Sequence, residues 1–393
     1  MSDINTTLLQ NMRRELADLK PSAIRSFNKE VSSIPGIIKL TLGEPDFDTP
    51  QHIKDAAIAS IENNHTHYPP TPGTDGLREA AANFLNTKYN LNFKPTQILA
   101  TVGATEAIWS SLYAVTNPGD QVIIPTPIWP MYISIATGMG LEPILVNTEP
   151  NNFVLSAKMI EDALASHDRV KAVVLNFPSN PTGKTYSREA IEELAGAIRG
   201  KNIFVVSDEI YSELTYGKTH TSVAEILPEQ TILLNGVSKS HAMTGWRLGI
   251  VAAPEGVIDK IITVHQFTVT TVPYTTQDAG EEAFRNGMDD ALPMRDEYIK
   301  RGEFVHEAMK KMGFRADKPE GAFYYFAKLP EWLDEDTATF AHNLAYEQAV
   351  ALVDATPFGP GAEGYIRISY ASSMEDLQEA MKRIQKYLDS RRK

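Results

Sequence analysis

The chain has no cysteine among its 393 residues. That excludes disulfides, thiolate metal sites and a cysteine nucleophile, and it suits a reducing compartment. There is no excess of basic charge either: 50 acids against 37 bases give a net charge of −13, which disfavours nucleic acid as a general partner. No apolar run approaches the roughly 18 residues of a membrane span. Residues 1–20 carry Asp3, Arg13, Arg14, Glu15 and Asp18 without an apolar core, so they do not read as a signal peptide. A cytoplasmic protein is expected. The sequon-like Asn5-Thr6-Thr7 and Asn64-His65-Thr66 then carry no meaning, and Arg391-Arg392-Lys393 reads as a solvated tail.

Several nucleotide and metal motifs are also missing. No G-x-G-x-x-G follows an apolar run, so a Rossmann dinucleotide site is not expected. Gly183-Lys184-Thr185 resembles the end of a P-loop, but Pro178 replaces its first glycine; Gly217-Lys218-Thr219 fails with Ser212 at that place. His306-Glu307 lacks a zincin's second histidine because Lys310 stands there, and the nine histidines show no metal-ligand spacing.

What is present is length and apolar content enough for a real core and for two domains. Residues 1–40 read as a polar helical arm ending in the apolar run 37–40. A turn-rich segment from Gly43 to Pro50, a helix over about 51–63, a proline-rich loop over 67–73 and a helix from about Asp75 follow. Seven runs rich in valine and isoleucine come next: 98–102, 121–124, 143–146, 171–175, 203–206, 231–234 and 248–252. They lack polar alternation, as strands covered on both faces do. Amphipathic stretches at 106–115, 131–137, 156–166 and 188–199 separate most of them. The pattern predicts an α/β fold with a mainly parallel sheet. The connection 235–247 is barely long enough for a crossover, so the last strand is expected to run antiparallel. Residues 276–311 predict one long helix or two, broken near Pro293. A smaller α+β unit follows, with strands near 323–327 and 365–370 and helices near 336–347 and 374–388. The expected division is a large domain over 49–280 and a small one built from 1–48 and 281–393.

Ligands of open parallel sheets bind beyond the carboxyl ends of the strands, so the residues after each run matter most. After the first run, Gly103-Ala104-Thr105-Glu106 opens a helix; it offers free amides to an anion, unless Thr105 simply caps the helix. Trp129 follows the second run in a proline-rich loop, where it stacks on a flat ligand or covers a domain edge. Asn180 follows the fourth run, and Asp208 and Tyr211 follow the fifth. After the sixth come Ser238, Lys239 and, eight residues beyond the lysine, Arg247. A lysine held beside a sheet is costly unless it has a use, and burial frees its lone pair for nucleophilic work.

The stretch 236–249, together with Asn180-Pro181-Thr182-Gly183, Asp208-Glu209-Ile210-Tyr211 and Arg367, resembles the class I aminotransferases of fold type I, which use pyridoxal 5′-phosphate. The likeness runs from about Ile24 to the last helix. It implies a seven-stranded large domain plus a small α+β domain, and a transaminase working by a ping-pong mechanism. Lys239 would hold the cofactor aldehyde as a Schiff base and move the substrate α-proton; Asp208 would pair with the pyridine nitrogen. Tyr211 and Asn180 would bond the ring oxygen and Trp129 would stack on the ring. Arg247, Ser238 and the Ala104-Thr105 amides would bind the phosphate, with Tyr68 reaching it from the second subunit of a homodimer. Arg367 would clamp the substrate α-carboxylate, helped by the backbone at Gly43; without the resemblance it would read as a surface arginine.

Two departures from the family pattern stand out. Gly236 occupies a place where many relatives have a phosphate-bonding serine, so one contact is expected to be missing. The segment 353–359 replaces a Pro-Gly turn on the small-domain side of the active site. The residues around Ser22-Ala23-Ile24-Arg25 and from Gly43 to Pro50 are similar to those of aromatic amino acid aminotransferases. An acidic side chain would want a second cation, and no spare arginine stands out near the motifs. Aromatic donors are therefore expected, with aspartate or N-acetyl-diaminopimelate as alternatives. A carbon–sulfur lyase or a decarboxylase on the same fold would share Lys239, Asp208 and Arg247. A ligand-sensing regulator would need a DNA-binding module, and residues 1–40 are too short and not basic.

Overall fold

The computed structural model describes Leu8, residues 11–17 and residues 19–392. Asn5-Thr6-Thr7, Asp3, Asp18 and Lys393 lie outside the described residues. In chain order the strands are β1 (Ile38–Lys39), β2 (Ile98–Val102), β3 (Gln121–Thr126), β4 (Glu142–Asn147), β5 (Val170–Asn176), β6 (Phe204–Asp208), β7 (Thr231–Gly236), β8 (Leu248–Ala252), β9 (Tyr324–Lys328), β10 (Val350–Ala351), β11 (Val353–Asp354) and β12 (Tyr365–Ser369). Helices used below are α1 (Ala23–Val31), α2 (Gly103–Val115), α3 (Met131–Met139), α4 (Val257–Thr268), α5 (Tyr274–Arg285) and α6 (Ala291–Lys311).

Seven strands form one sheet in the order β2-β8-β7-β6-β5-β3-β4. All neighbours from β4 to β7 are parallel, and β8 runs antiparallel to both β7 and β2. Its direction follows from the short connection that precedes it. Strands β6, β7 and β8 are buried almost from end to end, whereas the edge strand β4 is partly exposed. Continuous burial explains the unbroken Val/Ile runs, since helices cover both faces. A second, antiparallel sheet of order β11-β12-β9 carries the arginine strand β12. The pair β1 and β10 ties the early chain to this second unit.

Three expectations need correction, and one helix went unread. The early arm is not one helix: a short 3-10 turn at Arg14–Leu16 precedes α1. The break in 276–311 falls between Arg285 and Ala291, ahead of Pro293. Pro293 sits in the first turn of α6, where a missing N–H costs nothing. Helix α4 was not anticipated. Arg391 is not a free tail residue, because it pairs with Glu335 and Glu347.

Candidate active site

The parallel register sets the centre of the site. Asn176, the last residue of β5, lies opposite Asp208, the last residue of β6. Both therefore reach the same sheet edge, the one β7 leaves on its way to Lys239. There a cavity of about 720 Å³ opens. Gly43, Ala104, Thr105, Trp129, Asn180, Asp208, Tyr211, Ser238, Lys239, Arg247 and Arg367 all line it. Tyr68 does not; its side chain is 87 % exposed.

Lys239 is enclosed, and its Nζ donates to the Gly43 carbonyl at 2.6 Å. Burial pushes the amine down to about 8; Glu44 and Asp208 act against this, while Arg247 and Arg367 reinforce it. Asp208 is pushed up to about 6 by burial, opposed by the Tyr132 hydroxyl, which donates to its Oδ2 at 2.7 Å, and by the Ile210 amide, which donates to its Oδ1 at 3.1 Å. No ion pair with Asp208 exists among the described residues. A buried carboxyl facing a cavity without a cation is suited to receive a positively charged ligand group.

Arg367 is the mirror case. It is buried, its Nη1 donates to Asn180 Oδ1 at 2.8 Å and its Nη2 to the Thr41 carbonyl at 2.5 Å. Its Nε has no partner among the described residues, and burial lowers its pKa. Tyr324 and Phe358 flank the guanidinium at 4.6 and 5.2 Å. A desolvated guanidinium with unused donors and no carboxylate of its own is built for an incoming anion. Asn180 Oδ1 is occupied by this contact, which leaves its NH₂ to donate elsewhere. Tyr211 and Tyr324 share a hydroxyl–hydroxyl bond of 2.7 Å.

A second anion cradle lies between α2 and Arg247. Gly103 has φ +74°, and a Cβ there would collide with the Arg247 guanidinium. Glycine alone lets that cation lie over the turn. Arg247 donates to the Thr244 carbonyl at 2.9 Å, and the Ala104 and Thr105 amides open the helix beside it. The cap residue is Val102, so Thr105 is not a plain N-cap.

Some functional neighbours escaped sequence reasoning. Tyr132 sits on α3 with no motif around it, yet it holds Asp208. Tyr324 leaves no space for a side chain at Gly43. Ser22, Ile24, Arg25 and Asn28, from α1 and its cap, also line the cavity. Arg25 overturns the expectation that no spare arginine stands near the motifs, and it has no ion-pair partner among the described residues. The signal was its place in the stretch just ahead of the Gly43 segment, which sequence alone did not fold onto the sheet. The segment 353–359 does not line the cavity. Asp354 there accepts from Thr337, Thr356 Oγ1 and the Thr356 amide, a self-satisfied turn. Gly236 does not line it either: a Cβ would lie 2.8 Å from the Leu248 carbonyl oxygen.

A sequence profile of aminotransferases of class I and II matches residues 35–384. The chain is 42 % identical to a probable N-acetyl-LL-diaminopimelate aminotransferase of Bacillus subtilis, over 95 % of each chain. An aspartate aminotransferase from Thermus thermophilus, solved with maleate, superposes with a TM-score of 0.90 at 34 % identity, covering 95 % of this chain and 99 % of that one. An aromatic aminotransferase from Pyrococcus horikoshii superposes with a TM-score of 0.87 at 35 % identity, covering 93 % and 99 %. Fold, site and likeness over nearly the full length agree: the chain belongs to the class I and II aminotransferases, on the fold type I scaffold.

Proposed function

We propose that this aminotransferase uses pyridoxal 5′-phosphate, acts as a cytoplasmic homodimer, and moves the amino group of an L-amino acid, aromatic ones preferred, to a 2-oxo acid such as 2-oxoglutarate. The observation that carries the reading is a buried amine pushed down to about 8 in the cavity that also holds an unpaired buried Asp208 and an anion-seeking Arg367. The cradle of Arg247, Ser238, Ala104 and Thr105 fits a phosphate, with Tyr68 contributed by the second subunit. Asp208 would hold a proton on a ring nitrogen, Asn180 and Tyr211 a ring oxygen, and Trp129 a ring face. When bound, the cofactor supplies a cationic ring that draws electrons from the substrate α-carbon. Lys239 Nζ, largely a free base above pH 8, takes and returns the α-proton. Arg367 and the Gly43 backbone orient the α-carboxylate. We assign the cofactor unit to residues 49–280 and the substrate-facing unit to 1–48 and 281–393, since Lys239 follows the large sheet and Arg367 lies on the small one.

Incubation with pyridoxal phosphate should colour the protein yellow, and borohydride should then fix the cofactor's mass on the peptide containing Lys239. A protein that stays colourless and unmodified overturns the reading. Ile24, Leu42, Trp129 and Tyr324 give the cavity apolar surface suited to an aromatic side chain. A second reading, an acidic donor such as aspartate or N-acetyl-diaminopimelate, is favoured by Arg25 on the same cavity. A panel of phenylalanine, tyrosine, aspartate and N-acetyl-diaminopimelate with 2-oxoglutarate separates the two. If aspartate or N-acetyl-diaminopimelate outruns the aromatic donors by a wide margin, and Arg25→Met abolishes that margin, the acidic reading replaces the aromatic one.

A further inference from the structure

One buried glutamate–histidine pair near the site takes no part in the proposed chemistry. Glu106, in the first turn of α2, is 8 % exposed and does not line the cavity. Its Oε2 accepts from the Val102 amide at 2.5 Å, and its Oε1 accepts from His265 Nδ1 at 2.6 Å, with Ser110 Oγ more distant at 3.4 Å. His265, on α4, is wholly buried, and its Nε2 has no partner among the described residues. The imidazole thus spends its one good bond on Glu106.

A carboxylate in the first turn of a helix is drawn to the free amides there, and in a capping box it reaches back to the amide of the cap residue. Glu106 makes that reach, to the amide of the cap residue Val102 at the end of β2. No acceptor for the Ala104 or Thr105 amide occurs among the described residues. These are the amides that open on the cavity beside Arg247. The side chain is therefore aimed away from the donors that an anion would use, and His265 is the group that pins its second oxygen. Without that pin, Oε1 would be left with only the Ser110 hydroxyl at 3.4 Å, a buried acceptor short of a donor beside a turn that offers two free amides.

We propose that Glu106 and His265 form a positioning brace. His265 holds the Glu106 carboxylate off the Ala104-Thr105 turn, so that the turn receives the cofactor's phosphate rather than the protein's own anion. The brace rests on the reading of this cradle as a phosphate site. It makes α4, a helix that contributes nothing to the cavity, a determinant of cofactor retention.

The test compares His265→Leu, His265→Asn and the double variant Glu106→Gln/His265→Leu in the full-length protein. Cofactor dissociation constants come from absorbance titration with pyridoxal phosphate; the 31P resonance of the bound cofactor and competition by inorganic phosphate are read on the same samples. Removing a hydrogen bond to a charged group should weaken cofactor binding about tenfold or more in His265→Leu and shift the 31P line. His265→Asn, which keeps a donor, should lose less. Glu106→Gln/His265→Leu should recover most of the affinity, because a neutral amide does not compete with phosphate. A double variant as weak as His265→Leu, or a His265→Leu protein that binds like wild type, overturns the brace. A wild-type protein that binds neither probe overturns the phosphate reading itself. Should His265→Leu not fold, His265→Asn against Glu106→Gln/His265→Asn decides by the same comparison.

Discussion

At the scale of single residues, burial does most of the chemical tuning. Lys239 and Asp208 move in the directions that weaken their charges, the amine down to about 8 and the carboxyl up to about 6, and in both the enclosed environment is the largest cause. An exposed lysine titrates near 10.4. In the cofactor-free protein, a 13C-methyl label on Lys239 should therefore titrate with a midpoint near 8, the cation holding below it and the free base above it. Asp208→Asn removes a carboxylate that favours the cation, so it should lower that midpoint further; Arg247→Gln should raise it. A midpoint above 10 would mean that the amine is solvated and the tuning absent. The same residues show what sequence hides. Lys239, Asp208 and Arg247 sit in motifs, and their place in the cavity was legible. Tyr132 and Arg25 were not, because nothing local marks a tyrosine or an arginine whose partner lies across the fold.

At the scale of elements, close packing of backbones decides where side chains are allowed. β7 and β8 approach so closely at Gly236 and Gly249 that a Cβ on Gly236 would lie 2.8 Å from the Leu248 oxygen and 3.0 Å from the Gly249 Cα. Gly236→Ser should therefore add no phosphate contact; it should destabilise the cofactor-free protein by about 1–3 kcal/mol as the strands spread. Urea unfolding alongside cofactor titration checks this, and a tighter-binding, equally stable variant would refute it. Strands were the most readable elements: burial on both faces leaves unbroken Val/Ile runs, and a short connection left β8 only an antiparallel course. Helix α4 was not read because its β-branched residues, such as Val257, Ile258, Ile261 and Ile262, favour strand locally, and only packing against α2 makes them helical. Pro293 misled for a related reason. Proline marks both a break and a first helical turn, and the true break lies a few residues earlier.

At the scale of the whole molecule, one of the residues proposed for the site stands apart from the cavity that the other eleven line. Tyr68 is almost fully solvated in a single chain. If it serves the site of a second subunit, the two chains should complement. Tyr68→Phe should weaken cofactor binding by about five- to tenfold, the worth of one hydrogen bond to a charged group. Dimers that pair a Lys239→Ala chain with a Tyr68→Phe chain should regain one site of wild-type affinity, because the lysine and the tyrosine of that site come from different chains. Hybrids no better than Tyr68→Phe alone would place Tyr68 in its own chain's site.

The short helix α1 has a wider meaning. It brings Ser22, Ile24, Arg25 and Asn28 to the cavity, yet it belongs neither to the seven-stranded sheet nor to the strand that bears Arg367. On the proposed function, part of the choice of substrate thus lies in a stretch of chain separate from the one that carries Lys239. If α1 helps to choose the substrate, exchanges confined to its nine residues should redirect which amino acid enters while Lys239 and Asp208 stay in place. A lineage built this way would diversify its diet by editing one short helix.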